Sequence, residues 1–175
     1  MPESMTHAYV GLGSNLGDRA GNLLLALRGM LDAGLRVGRL SSIYETEPVG
    51  VTIRQPLFLN MIAELALDAR ETPAPPPSPE QLLARLLRIE YGLGRRREQP
   101  LAPRTIDLDL LLYGDAQSDT DFLTLPHPRL HLRRFVLAPL CELAPELTHP
   151  TLRQPLRLLL DATPHDPRVR LWQAG

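Results

Sequence analysis

The sequence contains no lysine, because all nineteen of its basic residues are arginine. This absence excludes a P-loop lysine, a Schiff-base lysine and the strand lysine of protein kinases. A chain of this composition that handles phosphate must use arginine, backbone amides or a metal ion. The single cysteine, Cys141, excludes an internal disulfide and any site built on several cysteines, and it is expected to be a small core residue.

The sequence also lacks an excess of either charge, since 19 basic and 20 acidic residues give a net charge of −1. General nucleic-acid and membrane binders need a basic surplus, so neither partner is expected. Because no signal peptide or long hydrophobic run is visible, a cytoplasmic location is expected. With 175 residues, 43% of them hydrophobic, the chain can bury one core. We expect a single domain with its core at about residues 7–150 and a tail at residues 151–175.

Hydrophobic periodicity predicts the order strand, helix, strand, strand, helix, strand, followed by a mostly helical extension. The predicted elements cover, in order, residues 8–13, 19–31, 35–46, 57–67, 79–92 and 106–113. A stiff proline-rich loop is expected at residues 72–79, and the extension should hold helices at 136–143 and 152–160 before an irregular tail. This order is typical of the ferredoxin-like βαββαβ core, an α+β fold in which helices pack on an antiparallel sheet.

Two carboxylates interrupt the apolar strand predicted at residues 106–113. Asp107 and Asp109 are two residues apart, so they should point to the same face with Cα atoms roughly 6.5–7 Å apart. Like charges on an apolar strand repel each other and are costly to bury, and a divalent cation would relieve both costs. Mg²⁺ keeps waters and takes phosphate oxygens as further ligands, so this pair beside Arg104 suits a polyphosphate.

An Asp-x-Asp pair is only moderately specific, so other interpretations stay open. Two surface acids are the simplest alternative, but Leu108 and Leu110 mark a buried strand and argue against it. A metal-dependent glycosyltransferase could use the same pair, although this chain is short for one. A binding module of the same fold would have no catalysis and no metal dependence.

Four further polar features are ambiguous when taken alone. The run at residues 95–97, Arg-Arg-Arg, would usually be a solvated face, but it leads into the loop before the acids, which favours an anion site. Asn60 suits either an exposed edge position or an amide that reads a planar heterocycle. Glu90, near the end of a helix, would usually be solvated. His127, which lies between two prolines, would usually be structural.

Six motifs occur in an informative order. They are GLGSNLGD at residues 11–18, SSIYETEPVG at 41–50, QPLFLN at 55–60, RIE…GRRR at 88–97, PRTIDLD at 103–109 and LPHPR at 125–129. Together they resemble the 6-hydroxymethyl-7,8-dihydropterin pyrophosphokinase family of folate biosynthesis, from about residue 8 to residue 150. The motif PRTIDLD is close to a signature of that family.

The resemblance implies an activity and a set of roles. ATP would give its β,γ-diphosphate as one unit to the hydroxymethyl oxygen of the pterin, leaving AMP. The positions that match catalytic residues are Arg95, Arg104, Asp107 and Asp109. The two aspartates would hold two Mg²⁺ ions. The partners implied are these two small molecules, with neither nucleic acid nor membrane, and a monomer is expected.

The resemblance also implies how the two substrates are held. The positions that match ATP contacts are Glu90, Arg97, Thr124, His127 and Arg133. The positions that match pterin contacts are Thr46, Val49, Phe58, Asn60 and Phe135. Two aromatic rings suit stacking on a flat ring, and an amide offers it both a donor and an acceptor.

This chain differs from some relatives at three places near the implied nucleotide site. Leu87 and Phe122 stand where some relatives have glutamine and arginine, and residues 98–102 lack an Arg-Trp pair. We therefore expect a shorter lid over the substrates and altered individual nucleotide contacts, but the same reaction.

Overall fold

The computed structural model describes residues 6–67, 75–97, 99–166 and 168–175. Its strands are β1 (His7–Ser14), β2 (Val37–Leu40), β3 (Tyr44–Thr46), β4 (Phe58–Ala66), β5 (Asp107–Tyr113), β6 (Ser118–Asp119), β7 (Thr124–Leu125) and β8 (Arg170–Leu171). Its α-helices are α1 (Arg19–Asp32), α2 (Pro79–Gly92), α3 (Arg134–Leu143) and α4 (Leu156–Ala162). Residues 72–74 of the predicted proline-rich loop lie outside the described residues.

The main sheet is antiparallel throughout and has the order β5-β1-β4-β3-β8, with β2 also paired to β4. The predicted ferredoxin-like core is confirmed, since β1, α1, β2 with β3, β4, α2 and β5 follow one another in that order. The sheet places the ends of β1, β4 and β5 side by side, which positions the site described below.

The single strand predicted at residues 35–46 is wrong, because β2 and β3 are separate there. Ser41 interrupts the strand with its side chain: its hydroxyl accepts the Ile62 backbone N–H at 2.8 Å. Its backbone N–H donates to the Ile62 carbonyl oxygen at 2.9 Å. A hydroxyl thus takes the place of one backbone acceptor in the ladder. The edge position considered for Asn60 is also wrong, because β4 lies between β1 and β3.

Helices cover both faces of the sheet. One core joins α1 and α2 to β1 and β4 through buried residues such as Leu23, Met30, Leu82 and Leu86. A second core joins α3 and α4 to Tyr9, Ile62 and Leu111 on the opposite face. The C-terminal extension is therefore a third layer of the fold, and it forms one wall of the candidate site. Within the described residues, no helix is long and apolar enough to cross a bilayer.

The start of α2 at residue 79 agrees with the sequence. Ser78 and Gln81 form a capping box there. On α1, Leu31 is 56% exposed, whereas Ala26 is buried. Cys141 is half-buried on α3, and burial raises the pKa of its thiol to about 11.

The tail after residue 161 was expected to be irregular, and this prediction is wrong at two places. The helix α4 continues to Ala162, and β8 pairs antiparallel with β3. A strand of two residues has no sequence periodicity, so the pairing depends on the free edge that β3 offers.

Candidate active site

The floor of the candidate site is the end of β1, where two glycines face the layer that contains α3. Gly13 pairs with Asp107 on β5 and with Asn60 on β4. Gly11 pairs with Asp109 on β5. A Cβ at Gly13 would lie 2.9 Å from the side-chain oxygen of Asn60, which is closer than real contacts allow. The glycines therefore keep the floor open between the acids and the amide.

A cavity of about 250 Å³ lies above this floor. Its lining combines acids, arginines and two aromatic rings, among them Asp107, Asp109, Arg95, Arg104, Phe58 and Phe135. The two acids reach it from the same face of β5, while Leu108 and Leu110 between and beyond them are 2% and 4% exposed in the core. This alternation follows from the two-residue period of a strand.

The two acids differ in their electrostatic surroundings. Asp107 forms a close ion pair with Arg95 and a second one, of 3.4 Å, with Arg104. Burial and the neighbouring Asp107 raise the pKa of Asp109 to about 7, and the positive charge of Arg133 only partly opposes them. Burial therefore destabilises the charged form of Asp109, and a bound cation would favour it.

Glu90 lies beneath the cavity and contacts both the strand that carries the acids and two of the arginines. It is 2% exposed, so the solvated position expected for it is wrong. Its carboxylate accepts the Leu108 backbone N–H at 2.7 Å and lies 3.3 Å from Arg95 and 2.7 Å from Arg97. Burial raises the pKa of Glu90, and the three donors oppose this shift. One buried carboxylate thus fixes both the strand between the two aspartates and two of the arginines.

Arg104 is placed by contacts that its sequence context does not reveal. Its backbone N–H donates to the side-chain oxygen of Asn15 at 2.8 Å, and its guanidinium lies over the Phe58 ring at 5.4 Å from the centroid. Asn15 is 1% exposed and also donates to the Pro56 carbonyl oxygen at 3.3 Å. Asn15 therefore joins the loop after β1 to the chain before β4 and to Arg104.

Another part of the cavity wall is built mainly from uncharged groups. The Asn60 amide donates to the Thr46 hydroxyl at 2.7 Å, and Thr46 itself is 3% exposed. Residues 47–49 continue from Thr46 along the cavity wall. Phe135 lines the same end from α3. This end offers aromatic faces and hydrogen-bonding groups, which suits a flat heterocycle.

Comparison with known proteins decides the family. Residues 9–145 match the family described as 7,8-dihydro-6-hydroxymethylpterin-pyrophosphokinase (HPPK). The chain belongs to the HPPK family. It is 43% identical over 141 residues to the 2-amino-4-hydroxy-6-hydroxymethyldihydropteridine pyrophosphokinase of Bacillus subtilis, which covers 80% of this chain and 79% of that protein. The protein of the same name from Methylorubrum extorquens is 45% identical over 144 residues, or 82% of this chain and 85% of its own.

Solved structures of HPPK-DHPS proteins share the fold. Wild-type Plasmodium falciparum HPPK-DHPS with SDX-DHP matches with a TM-score of 0.65 at 15% identity, over 90% of this chain. The chain spans only 44% of that longer protein. This likeness supports the fold alone, whereas the sequence relatives establish that the chain is a pyrophosphokinase of the HPPK family.

The candidate cavity collects most of the residues predicted from the HPPK resemblance. Of the predicted positions, those that line it are Arg95, Arg97, Arg104, Asp107, Asp109, His127, Arg133, Thr46, Val49, Phe58, Asn60 and Phe135. Glu90 lies beneath the cavity, and Thr124 lies on the β6–β7 hairpin beside a neighbouring cavity of about 480 Å³ that His127 also lines. Burial lowers the pKa of His127 to about 4, so this side chain is neutral at physiological pH.

The acids suit a metal that takes part of its ligands from the substrate. In the part of the chain that the structure describes, no cluster of three or more His, Cys, Asp and Glu side chains could hold an ion. A cation at Asp107 and Asp109 would therefore need phosphate oxygens and water as further ligands, which is the habit of Mg²⁺. The raised pKa of Asp109 agrees with a carboxylate whose charge is balanced only when a cation is bound.

Sequence reasoning missed Asn15 and the glycine floor. Asn15 stands within the motif GLGSNLGD, but a single amide in a turn gives no sign that it will contact residues 41 and 89 positions away. Gly11 and Gly13 stand in the same motif. Their alternation, two apart on a strand like the acids opposite, could have indicated an open face.

Proposed function

We propose that this HPPK-family enzyme transfers the β,γ-diphosphate of ATP to the hydroxymethyl oxygen of 6-hydroxymethyl-7,8-dihydropterin, giving AMP and the pterin diphosphate. The observation that carries the proposal is one cavity that brings paired carboxylates and arginines together with two aromatic rings and an amide. The two ends match the two substrates, a polyanion and a flat polar ring.

The transfer needs alignment and charge stabilisation. The hydroxymethyl oxygen attacks the β-phosphorus, the bond from that phosphorus to the oxygen it shares with the α-phosphorus breaks, and the hydroxyl proton is released. Arg95 and Arg104 grip the transferring phosphates, which fits their position beside Asp107. Mg²⁺ held by Asp107 and Asp109, as two ions, would offset the phosphate charge during transfer.

The nucleotide extends from the acids toward the β6–β7 hairpin. Arg97, His127 and Arg133 line the cavity, and His127 also lines the neighbouring cavity beside Thr124 on β7. His127 is neutral, so it serves the nucleotide as a hydrogen-bonding group. Glu90 acts on the nucleotide by fixing Arg95 and Arg97, because its buried carboxylate already contacts both.

The pterin stacks between Phe58 and Phe135, and Asn60 reads its polar edge together with backbone groups of residues 46–49. Because the Asn60 amide nitrogen is engaged by Thr46, its carbonyl oxygen beside Gly13 is the group left to accept an N–H from the ring. A site of this kind rejects rings that leave its buried polar groups unpaired.

We propose further that the chain acts as a monomeric single domain in the cytoplasm, with ATP and the pterin as its partners and neither nucleic acid nor membrane. One sheet with cores on both faces and a net charge of −1 support this. Light scattering on a sizing column should give a mass near 19.5 kDa, and twice that mass would contradict the monomer.

Product analysis tests the reaction directly. With ATP, Mg²⁺ and the pterin alcohol, phosphorus NMR should show AMP and a pterin carrying two linked phosphates. Formation of ADP would instead indicate transfer of a single phosphoryl group. No turnover in the presence of both substrates and Mg²⁺ would favour a binding module.

A further inference from the structure

The C-terminal strand lies outside the residues that match the family, yet it borders the wall of the cavity. The match ends at residue 145, whereas β8 consists of Arg170 and Leu171. Arg170 pairs with Glu45, and Leu171 pairs with Tyr44 on β3. The backbone N–H of Trp172 donates to the Ile43 carbonyl oxygen at 2.9 Å. We call residues 168–172 the C-terminal strap.

Charged side chains add to this pairing. Arg170 donates to the Glu45 carboxylate at 2.9 Å, and Arg19 donates to its other oxygen at 2.9 Å. Arg19 also donates to the Leu57 carbonyl oxygen, so Glu45 connects the strap to the start of α1 and of β4. The hydrogen bond from Arg170 is the main reason why the pKa of Glu45 lies below its ordinary value.

A second ion pair reaches the loop itself. Arg168 lies 3.7 Å from the carboxylate of Glu47, which is one of the residues lining the cavity. Both partners are more than half exposed, so this pair alone contributes little. The pair matters because of its position. Arg170 contacts Glu45, and Arg168 contacts Glu47, which lies two residues further along and lines the cavity.

The strap acts from behind the site. Side chains alternate along a strand, so Glu45 faces away from the cavity while Thr46 faces it and accepts a hydrogen bond from Asn60. With three residues, β3 has few ladder bonds of its own to β4. The edge pairing with β8 and the Glu45 contacts therefore add to the pairing with β4 in fixing this short strand and the wall that follows it.

We propose that the C-terminal strap is a positioning element for the pterin end, and that Arg170 is its principal positioning residue, holding residues 46–49 in the arrangement that receives the ring. This inference rests on the proposed pterin subsite. A wall ordered before binding spares the ligand the entropy cost of ordering it, so the strap should act on pterin affinity and leave the nucleotide end alone.

The test is a split between Michaelis constants in the full-length protein. Arg170→Ala should raise KM for the pterin by about two- to fivefold, since one exposed ion pair of this kind corresponds to that range. KM for ATP and kcat should stay within about twofold. Arg168→Ala combined with Arg170→Ala should raise the pterin KM further, and Arg170→Lys, which keeps the charge, should recover part of the loss.

Two companion variants make the result decisive. Arg157→Ala removes another exposed ion pair of the C-terminal region, 2.7 Å from Glu146 in the segment between α3 and α4, and should change neither Michaelis constant. Asn60→Ala tests the pterin subsite itself. If Asn60→Ala leaves the pterin KM unchanged, the subsite is misplaced and the proposed pterin contacts fail together with the strap.

The remaining outcomes concern the strap alone. If Asn60→Ala raises the pterin KM and the Arg168→Ala, Arg170→Ala double variant does not, the strap has no positioning role. A lower melting temperature and lower kcat at unchanged KM for both substrates would mean that the strap serves stability only, which also overturns the proposal. A rise in the pterin KM alone, with partial recovery by Arg170→Lys, supports it.

Discussion

The two ends of the candidate cavity are built in opposite ways. At the phosphate end the two acids stand on β5, and Glu90 beneath the floor contacts Leu108, Arg95 and Arg97. The pterin end uses mainly uncharged groups from a three-residue strand, a loop and the start of α3. The phosphate end is therefore held by ion pairs around one buried carboxylate, whereas the pterin end depends on the pairing of a short strand.

The largest effect is expected from the acids. Asp107→Ala or Asp109→Ala should lower kcat by at least about a thousandfold, because metal-assisted charge stabilisation is the main term in phosphoryl-group transfer. Initial rates of AMP formation measure the loss, and circular dichroism should show an unchanged fold. Asp115→Ala, an exposed acid just after β5, is the matched control and should keep the wild-type rate. A nearly full rate in either active-site variant would contradict the metal assignment.

The next largest effect is expected from the arginines. Lysine variants distinguish the role of guanidinium geometry from that of positive charge. Arg104→Lys keeps the charge but loses the planar fork, and should lower kcat by roughly a hundredfold. Arg96→Lys is the control from the same basic region, because Arg96 stacks on Tyr91 at 4.4 Å from the ring centroid and does not line the cavity. Equal rates for both variants would mean that Arg104 acts as a simple positive charge. Steady-state kinetics with saturating Mg²⁺ makes the comparison.

At the neutral end, Asn60→Ala should raise KM for the pterin by roughly tenfold and leave KM for ATP unchanged, since a buried partner of the ring is lost. Asn22→Ala removes an amide on α1 that donates to the Leu16 carbonyl oxygen in the loop after β1, and it should change neither constant. An equal rise in both Michaelis constants for Asn60→Ala would contradict the assignment of Asn60 to the pterin end.

The smallest effect concerns stability without metal. The pKa of Asp109 is about 7 in the folded protein, whereas the ordinary value for an aspartate is 3.8. As pH rises, Asp109 therefore loses its carboxyl proton in the unfolded state before it does so in the folded state. This residue therefore lowers folding stability progressively between about pH 4 and pH 7. Asp109→Asn should be more stable than wild type at pH 8 by about 1 kcal/mol or more, the equivalent of about one pKa unit.

Urea unfolding with a chelator at pH 8 and at pH 5 measures this difference. The advantage of Asp109→Asn should shrink at pH 5, where wild-type Asp109 already holds its proton in the folded state. An advantage that is the same at both pH values would show that it comes from packing. Added Mg²⁺ and nucleotide should favour the wild type, because the cation binds only the charged carboxylate.

A contrast between local and distant contacts explains what the sequence could predict. Asp107 and Asp109 were predictable on one face because a strand repeats every two residues, and the start of α2 was predictable because Ser78 and Gln81 form a local capping box. The antiparallel βαββαβ core followed from element order. These features depend on neighbours in the chain.

The rest depends on contacts across the fold. The burial of Glu90 could not be seen from its helix, because its backbone partner Leu108 is 18 residues away. The break between β2 and β3 comes from a side chain of Ser41 that meets Ile62 on another strand. The strand β8 has two residues and exists because β3 has a free edge. No local periodicity encodes such pairings.

Binding of a non-hydrolysable Mg²⁺–ATP analogue, followed by calorimetry, tests the division of the cavity most directly. Asp109→Asn should weaken this binding by at least about tenfold relative to wild type, because the neutral side chain cannot hold the cation that joins the nucleotide to β5. Asn60→Ala should bind the analogue within about twofold of wild type. Equal weakening in both variants, or none in Asp109→Asn, would contradict a charged nucleotide end beside a neutral pterin end.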